Sequence, residues 1–348
     1  AITDTSDENY KAPVANPTSD ATHSFPYADP VLNVISATRI GKVFGGGLGS
    51  DAVIHGNPTV NINMIKGTAT GSSSELGTIG DVYGGGNEAV VEGSTTVNIG
   101  TETTVQLHES YNKSTSSYTM SEDQTVLGAN ITGSVFGGGN EADVTGDTHV
   151  NICAEYDKDE EVYKAVAEGT AKVKIGGSVF GGGKGKDDTF ECEKAMVGIV
   201  DQGIGSTNVV IGNGTVTGSV YGGGQIGRVE HDTKVMIGLA SGESSAPEIK
   251  EDVFGAGKGL RTHGYAALVR GDAKVIVQGN AKVRNNVYGG GEIASVGRFN
   301  VAKNEAEAAA HGVAVGMPYE LVSGGNSSVA IQGNAEIGPS SAMQMKKE

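Results

Sequence analysis

Apolar residues fall along this chain in pairs two apart, not in helical stripes. The pairs Val60/Ile62, Val97/Ile99, Val150/Ile152, Val209/Ile211, Val235/Ile237, Val275/Val277 and Val329/Ile331 are all β-branched. Most close a string of the form Gly-[Asp/Asn/Ser]-x-x-Val-x-Ile. A period of two in β-branched residues predicts strands with one buried face. A second string alternates with the first: Val43-Phe44-Gly45-Gly46-Gly47, with counterparts beginning at Val82, Val135, Val179, Val220, Val253 and Val287. Ala256 replaces the middle glycine of one copy. Three or four residues ahead of each glycine string sits Ile40, Ile79, Ile131, Ile175, Val216, Ile249 or Val283, usually followed by corner-forming residues.

The spacings define a unit. From the Val of the glycine string to the Val of Val-x-Ile is 15 residues in three copies, and the shortest return is 11, so the smallest unit is 26 residues and the rest is insertion. One such coil cannot bury its own apolar face, whereas stacked coils bury a continuous one. The expected fold is therefore all-β: a right-handed parallel β-helix or solenoid of about seven coils, with a shaft of about 34 Å at ordinary strand spacing. The right hand rests on the general preference of parallel crossovers. A seven-bladed propeller would suit the longer spacings of 33–53 residues, but 26 residues are too few for a four-stranded blade.

Insertions follow the Val-x-Ile string at about 63–78, 100–127 and 153–171, and the glycine string at about 184–203 and 292–322. Segments 100–127 and 153–167 each hold two alternating runs around a polar turn and read as hairpins. Asn304 and Glu307 form a capping-box pattern over Glu305 to Ala310, with Gly312 as a stop, which predicts a short helix. The organisation expected is an extended arm over 1–30 carrying four prolines, a solenoid over 31–338 and a tail over 339–348. After Ile337-Gly338 another glycine string is due, and Pro339-Ser340-Ser341 stands there instead. Either the chain is a segment of a longer repeat protein, or another subunit completes the coil, with the 1–30 arm as the candidate.

Composition narrows the classes. Gly and Pro, 56 and 8 of 348 residues, are too few for collagen, and 37% hydrophobic residues are enough for a core. Lys+Arg 25 against Asp+Glu 41 leaves a net charge of −16, which repels phosphate backbones, so no nucleic-acid partner is expected. No apolar run approaches the roughly 18 residues of a spanning helix, so no membrane insertion is expected. The chain opens at Ala1 without a basic-then-apolar segment, which fits a leader already removed or an excised piece. Cys153 and Cys192 are either one bridge or two unrelated thiols.

Candidate chemistry lies first in one repeat column. Phe44, Tyr83, Phe136, Phe180, Tyr221, Phe254 and Tyr288 are seven of the 18 aromatics, and register stacking would make them a ladder. One reading is a platform for sugar rings beside a flat glycine strip. The other, preferred because such ladders stabilise solenoids without a ligand, is structural. The glycine triplets lack a following helix, which argues against phosphate binding. Gly46 to Ile54 fits one calcium-roll nonapeptide, but such rolls need successive copies and the next start is at Gly182. His55, His149 and His231 occupy different slots and do not stack. The turn column Asn57, Ser94, Asp147, Ser206, Asp232, Asp272 and Asn326 contains the pair Asp232/Asp272, formally an acid and a base, but any turn wants these residues there. No catalytic residue, metal site or cofactor is assigned.

The strings in 169–183 (GTAKVKIGGSVFGGG) and 279–291 (GNAKVRNNVYGGG) resemble the repeats of large exported surface proteins of gut Bacteroidales, over about residues 31–338. That resemblance implies export and the cell envelope, and assigns no site. The expected function is a non-enzymatic structural or adhesive surface solenoid, self-assembling end to end as a homo-oligomer or filament, or contacting a glycan or host surface. The alternative is a carbohydrate-binding or polysaccharide-degrading β-helix.

Overall fold

The computed structural model describes residues 29–66, 76–115, 117–169, 172–187, 194–240, 245–262, 265–315 and 317–339. Nearly all of the arm, the tail from 340 on and Cys192 lie outside these residues. The described chain is almost entirely β, with one helix, and most strands belong to one large, chiefly parallel, solenoid-like sheet.

The Val-x-Ile strings build one face. Val31–Ser36, Thr59–Lys66, Thr95–Ile99, Thr148–Ile152, Thr207–Ile211, Thr233–Ile237, Ala273–Val277 and Ser327–Ile331 pair in parallel and in chain order. Val60, Val97, Val150, Val209, Val235, Val275 and Val329 therefore form one column. The glycine strings build a second face, in which Val43, Val82, Val135, Val179, Val220, Val253 and Val287 stack likewise. A third column, Ile54, Val91, Val144, Val197, Val229, Val269 and Val296, joins neighbouring coils by short parallel bridges. Its members carry only Ala or Gly two places before them, so no strand period announces them.

Alternation fills the interior. In Thr95–Ile99 the buried positions are Thr95, Val97 and Ile99, and both apolar side chains are 0% exposed. Each full burial of this kind stabilises by about 1.5–3 kcal/mol. The buried threonines are satisfied across the interior: Thr95, Thr148, Thr207 and Thr233 donate their hydroxyls to the carbonyls of Gly137, Gly181, Gly222 and Gly255 at 2.5–2.6 Å. The glycines are required by close approach. A β-carbon at Gly84, Gly137 or Gly181 would collide with the carbonyl oxygen of the corresponding glycine one coil on.

Two corners are held by side chains that accept a backbone N–H from the next coil. At the first, Asp29 accepts from Asn57, Asn57 from Ser94, Ser94 from Asp147 and Asp147 from Ser206, at 2.7–3.0 Å. Asp232 then accepts from Asp272 and Asp272 from Asn326. At the second, Asp81, Ser134, Ser178, Ser219 and Asp252 accept in turn from Ser134, Ser178, Ser219, Asp252 and Asn286, at 2.9–3.3 Å. Turn residues here serve the stack as well as the bend.

The insertions take the expected forms. His108–Asn112 pairs antiparallel with Ser117–Met120, and Ala154–Asp157 with Val162–Ala165. Helix α1 spans Glu305–His311. The Asn304 side chain accepts from the Glu307 N–H, and Gly312 closes the helix at φ 68°.

Candidate functional site

The seven aromatics stack in register, with centroids 4.7–5.0 Å apart and planes within 8°. Both faces of the five inner rings are covered by their neighbours. Tyr83, Phe136, Phe180, Tyr221 and Phe254 are at most 5% exposed, Phe44 is partly buried and only Tyr288 stands open, at 44%. Two of the three tyrosine hydroxyls in the column reach a carboxylate: Tyr83 donates to Asp81 and Tyr221 to Glu292. Burial, reinforced by these carboxylates, pushes both phenols far above their ordinary range.

The turn carboxylates are spent on the backbone. The bonds from Asn326 to Asp272 hold that carboxyl below the usual range, so it stays ionised and is no proton donor near neutral pH. Ser206, His231 and Asp232 meet, but Ser206 Oγ at 2.8 Å and Asp232 Oδ2 at 3.6 Å both face the same ring nitrogen, Nδ1. A nucleophile relay needs the two ring nitrogens to serve different partners. His55 pairs with Glu92 at 2.6 Å. Among the described residues no three His, Cys, Asp or Glu side chains group as a cation site. Cys153 is a buried free thiol whose pKa burial raises far above its ordinary value.

A different constellation appears on the outward side of the Val-x-Ile face. The residue between Val and Ile points out of the interior, and in the first coils it is Asn. Asn61 donates to Asn33, Asn98 to Asn61 and Asn151 to Asn98, each at 2.9 Å, forming an amide ladder along the shaft. Two insertions rise beside it. A cavity of about 580 Å³ is lined by Asn98, Asn151, Thr96 and His149 with Glu102, Glu155, Tyr156, Lys158 and Tyr163 from the insertions. A second, of about 340 Å³, is lined by Asn33, Asn61 and Asn63 with Glu102, His108, Met120 and Asp123. Glu102 borders both, so the two lie side by side along the ladder as the two parts of a groove divided at that residue.

Electrostatics in the groove are distinctive. Partial burial, and then the charge of Glu155, raise the Glu102 carboxyl above its usual range. Burial lowers the His149 imidazole below its usual range, against the pull of Asp147, so it is neutral at pH 7. Tyr163 is fixed by Asn208, whose amide donates to its hydroxyl at 2.7 Å, and it packs 5.0 Å from Tyr156, which is 45% exposed. The ladder stops at Asn151 because Val210 is next in the column, and Asn151 Oδ1 is buried without a donor.

Of these groove residues the repeat pattern marks only His149, which does not stack with the other histidines. The available signal was the middle residue of Val-x-Ile, Asn in Val60-Asn61-Ile62, Val97-Asn98-Ile99 and Val150-Asn151-Ile152 and apolar afterwards. Elsewhere charge fastens insertions to the shaft. Arg270 binds Glu230 at 2.6 Å and Asp201 at 3.0 Å, and Lys303 binds Asp201 at 2.7 Å.

No protein-family model matches the chain, and neither a curated protein nor a solved structure matches it.

Proposed function

We propose that this chain is a right-handed β-solenoid of about seven coils that serves, without catalysis, as an exported structural and adhesive element of a bacterial surface. The observation that carries this reading is where the repeated polar chemistry goes. Corner carboxylates and hydroxyls, interior threonines and the aromatic column are each engaged with the next coil. Repetition spent on cohesion suits a rigid shaft, with the hairpins as its contact surface.

Association end to end has its own support. Among the described residues the strands Ser327–Ile331 and Glu336–Ile337 pair only with the coil before them. Val329, Ile331 and Ile337 are 41%, 52% and 39% exposed, whereas Val275, Val277 and Val283 one coil earlier are 0% exposed. A further coil of the same repeat, from more of this chain or from a second copy, would bury them. Sedimentation of the full chain at high micromolar concentration tests the assembly. Self-association lost on deleting residues 1–30 is expected, and a monomer throughout would overturn it. Antibody labelling of intact cells tests the surface location. Release of reducing ends from acidic polysaccharides would overturn the non-enzymatic reading.

A further inference from the structure

The amide ladder ties coil to coil, and the groove above it is left open. We propose that it binds a linear, neutral oligosaccharide lying along the shaft axis. The floor supplies the first argument. Asn61 and Asn98 each use one N–H and one oxygen lone pair on their neighbours, and an amide has a second of each. These two offer a donor and an acceptor at about 4.8 Å spacing along the axis, and Asn33 at the end of the row keeps its own N–H groups. A polymer bearing hydroxyl groups on every ring matches such a row, and the two neighbouring cavities give it length.

The walls supply the second argument. Tyr156 exposes nearly half of its surface beside the cavity, while Tyr163 is pinned behind it by Asn208. An exposed, backed tyrosine offers a flat apolar ring and a polar tip, suited to the C–H face and hydroxyl edge of a pyranose. Glu102 and Glu155 accept hydrogen bonds from vicinal hydroxyls as carboxylates do from any paired donors.

Other occupants fit worse. Glu102, Glu155 and Asp123 outnumber Lys158 in the groove, and the chain carries −16 overall, so polyanions are repelled. An apolar ligand would strand the amides of the floor. An extended peptide adds to a sheet edge, and this floor is a sheet face whose strands, beyond the first one at Val31–Ser36, are already paired on both sides.

Titration calorimetry on the full chain tests the assignment. The probes are the hexaoses of β-1,4-glucan, β-1,4-mannan, β-1,4-xylan and α-1,4-glucan, with hexagalacturonate as the anionic arm. At least one neutral hexaose should bind with a Kd below about 1 mM, and hexagalacturonate should not. Tyr156→Ala should weaken that binding by about tenfold or more. Glu155→Ala, at an exposed position, should weaken it too and serves if Tyr156→Ala disturbs the hairpin. Tyr111→Ala, on the other hairpin and outside both cavities, should leave affinity unchanged. The proposal fails if no neutral hexaose binds below about 5 mM, if the anionic one binds better, or if Tyr156→Ala and Glu155→Ala both bind like the parent. It stands or falls independently of surface location and self-association, which these titrations do not read.

Discussion

One outward column of the Val-x-Ile face divides the molecule into two halves. From the first coil onward it reads Asn33, Asn61, Asn98 and Asn151, then Val210, Met236, Ile276 and Ala330. From Val60 and Ile62 onward the inward columns on either side of it stay β-branched. In the first half the outward position is a hydrogen-bonded amide row under an open groove. At the start of the second half, Val210 packs with Ala154 and Leu239, and Tyr163, Ala165 and Met236 lie against them. The hairpin formed by Ala154–Asp157 and Val162–Ala165 straddles that boundary, with Ala154 and Ala165 against the apolar patch and Tyr156 lining the groove. Inward positions are constrained by every neighbouring coil; outward ones answer only to what covers them, and there the chain specialises.

The comparison breaks most sharply if the interior is not in fact common to both halves. Val97→Asp and Val275→Asp should each cost about 4 kcal/mol in denaturant melts, since each buries a carboxyl without a partner. A cost in one half only would mean that the inner columns differ. The outward column gives a smaller contrast. Asn98 both donates and accepts in the ladder, so Asn98→Val should cost about 1–2 kcal/mol. Asn151→Val removes one ladder bond and the orphaned Oδ1, and continues the apolar column, so it should cost clearly less. Equal costs would show that the ladder is not cooperative with its surroundings.

A gain is expected where the interior seam is interrupted. Ala273 stands in the threonine column, and Ala273→Ser restores a hydroxyl facing the glycine string, which should stabilise by about 0.5–1 kcal/mol. The smallest effect is electrostatic and confined to the groove. The folded-state pKa of Glu102 is raised, so its protonated form is favoured by folding, and the associated stability is present below the ordinary carboxyl range and lost as pH rises through the folded value. Glu102→Gln should therefore melt slightly higher than the parent at pH 7, with the difference vanishing near about pH 4. A gain that grows on acidification would reverse the assignment.

The shaft was legible in the sequence because its rules are local and repeated. Val-x-Ile, the glycine string and the turn column each recur with the residue type that the next coil demands, so seven weak signals reinforce one another. The short helix was legible for the same reason: Asn304, Glu307 and Gly312 act through their nearest neighbours. The third column was not, because Val91, Val144 and Val229 are single residues with no strand period around them. The groove was harder still. It is assembled from an outward column and from insertions that obey no repeat, and Glu102, Glu155 and Tyr156 acquire their relation only when the coils stack. The aromatic column was visible as a ladder, but how far its rings would be covered depended on contacts that a repeat pattern does not encode.

The corner columns carry a consequence for descent. Every acceptor there is Asp, Asn or Ser and every donor is a main-chain N–H, so any coil can follow any other. Excising residues 220–252 would bring Ser219 against Asn286 at one corner and Ser206 against Asp272 at the other, and would set Thr207 opposite Gly255 in place of Gly222. Ser219 and Thr207 would find equivalent partners one coil along, whereas Ser206 would lose His231 and Arg270 would lose Glu230. A gene built this way can lengthen or shorten by unequal recombination between its own repeats in whole-coil steps that keep the columns in register. The reach of the shaft is then open to heritable change separately from the loops that it carries.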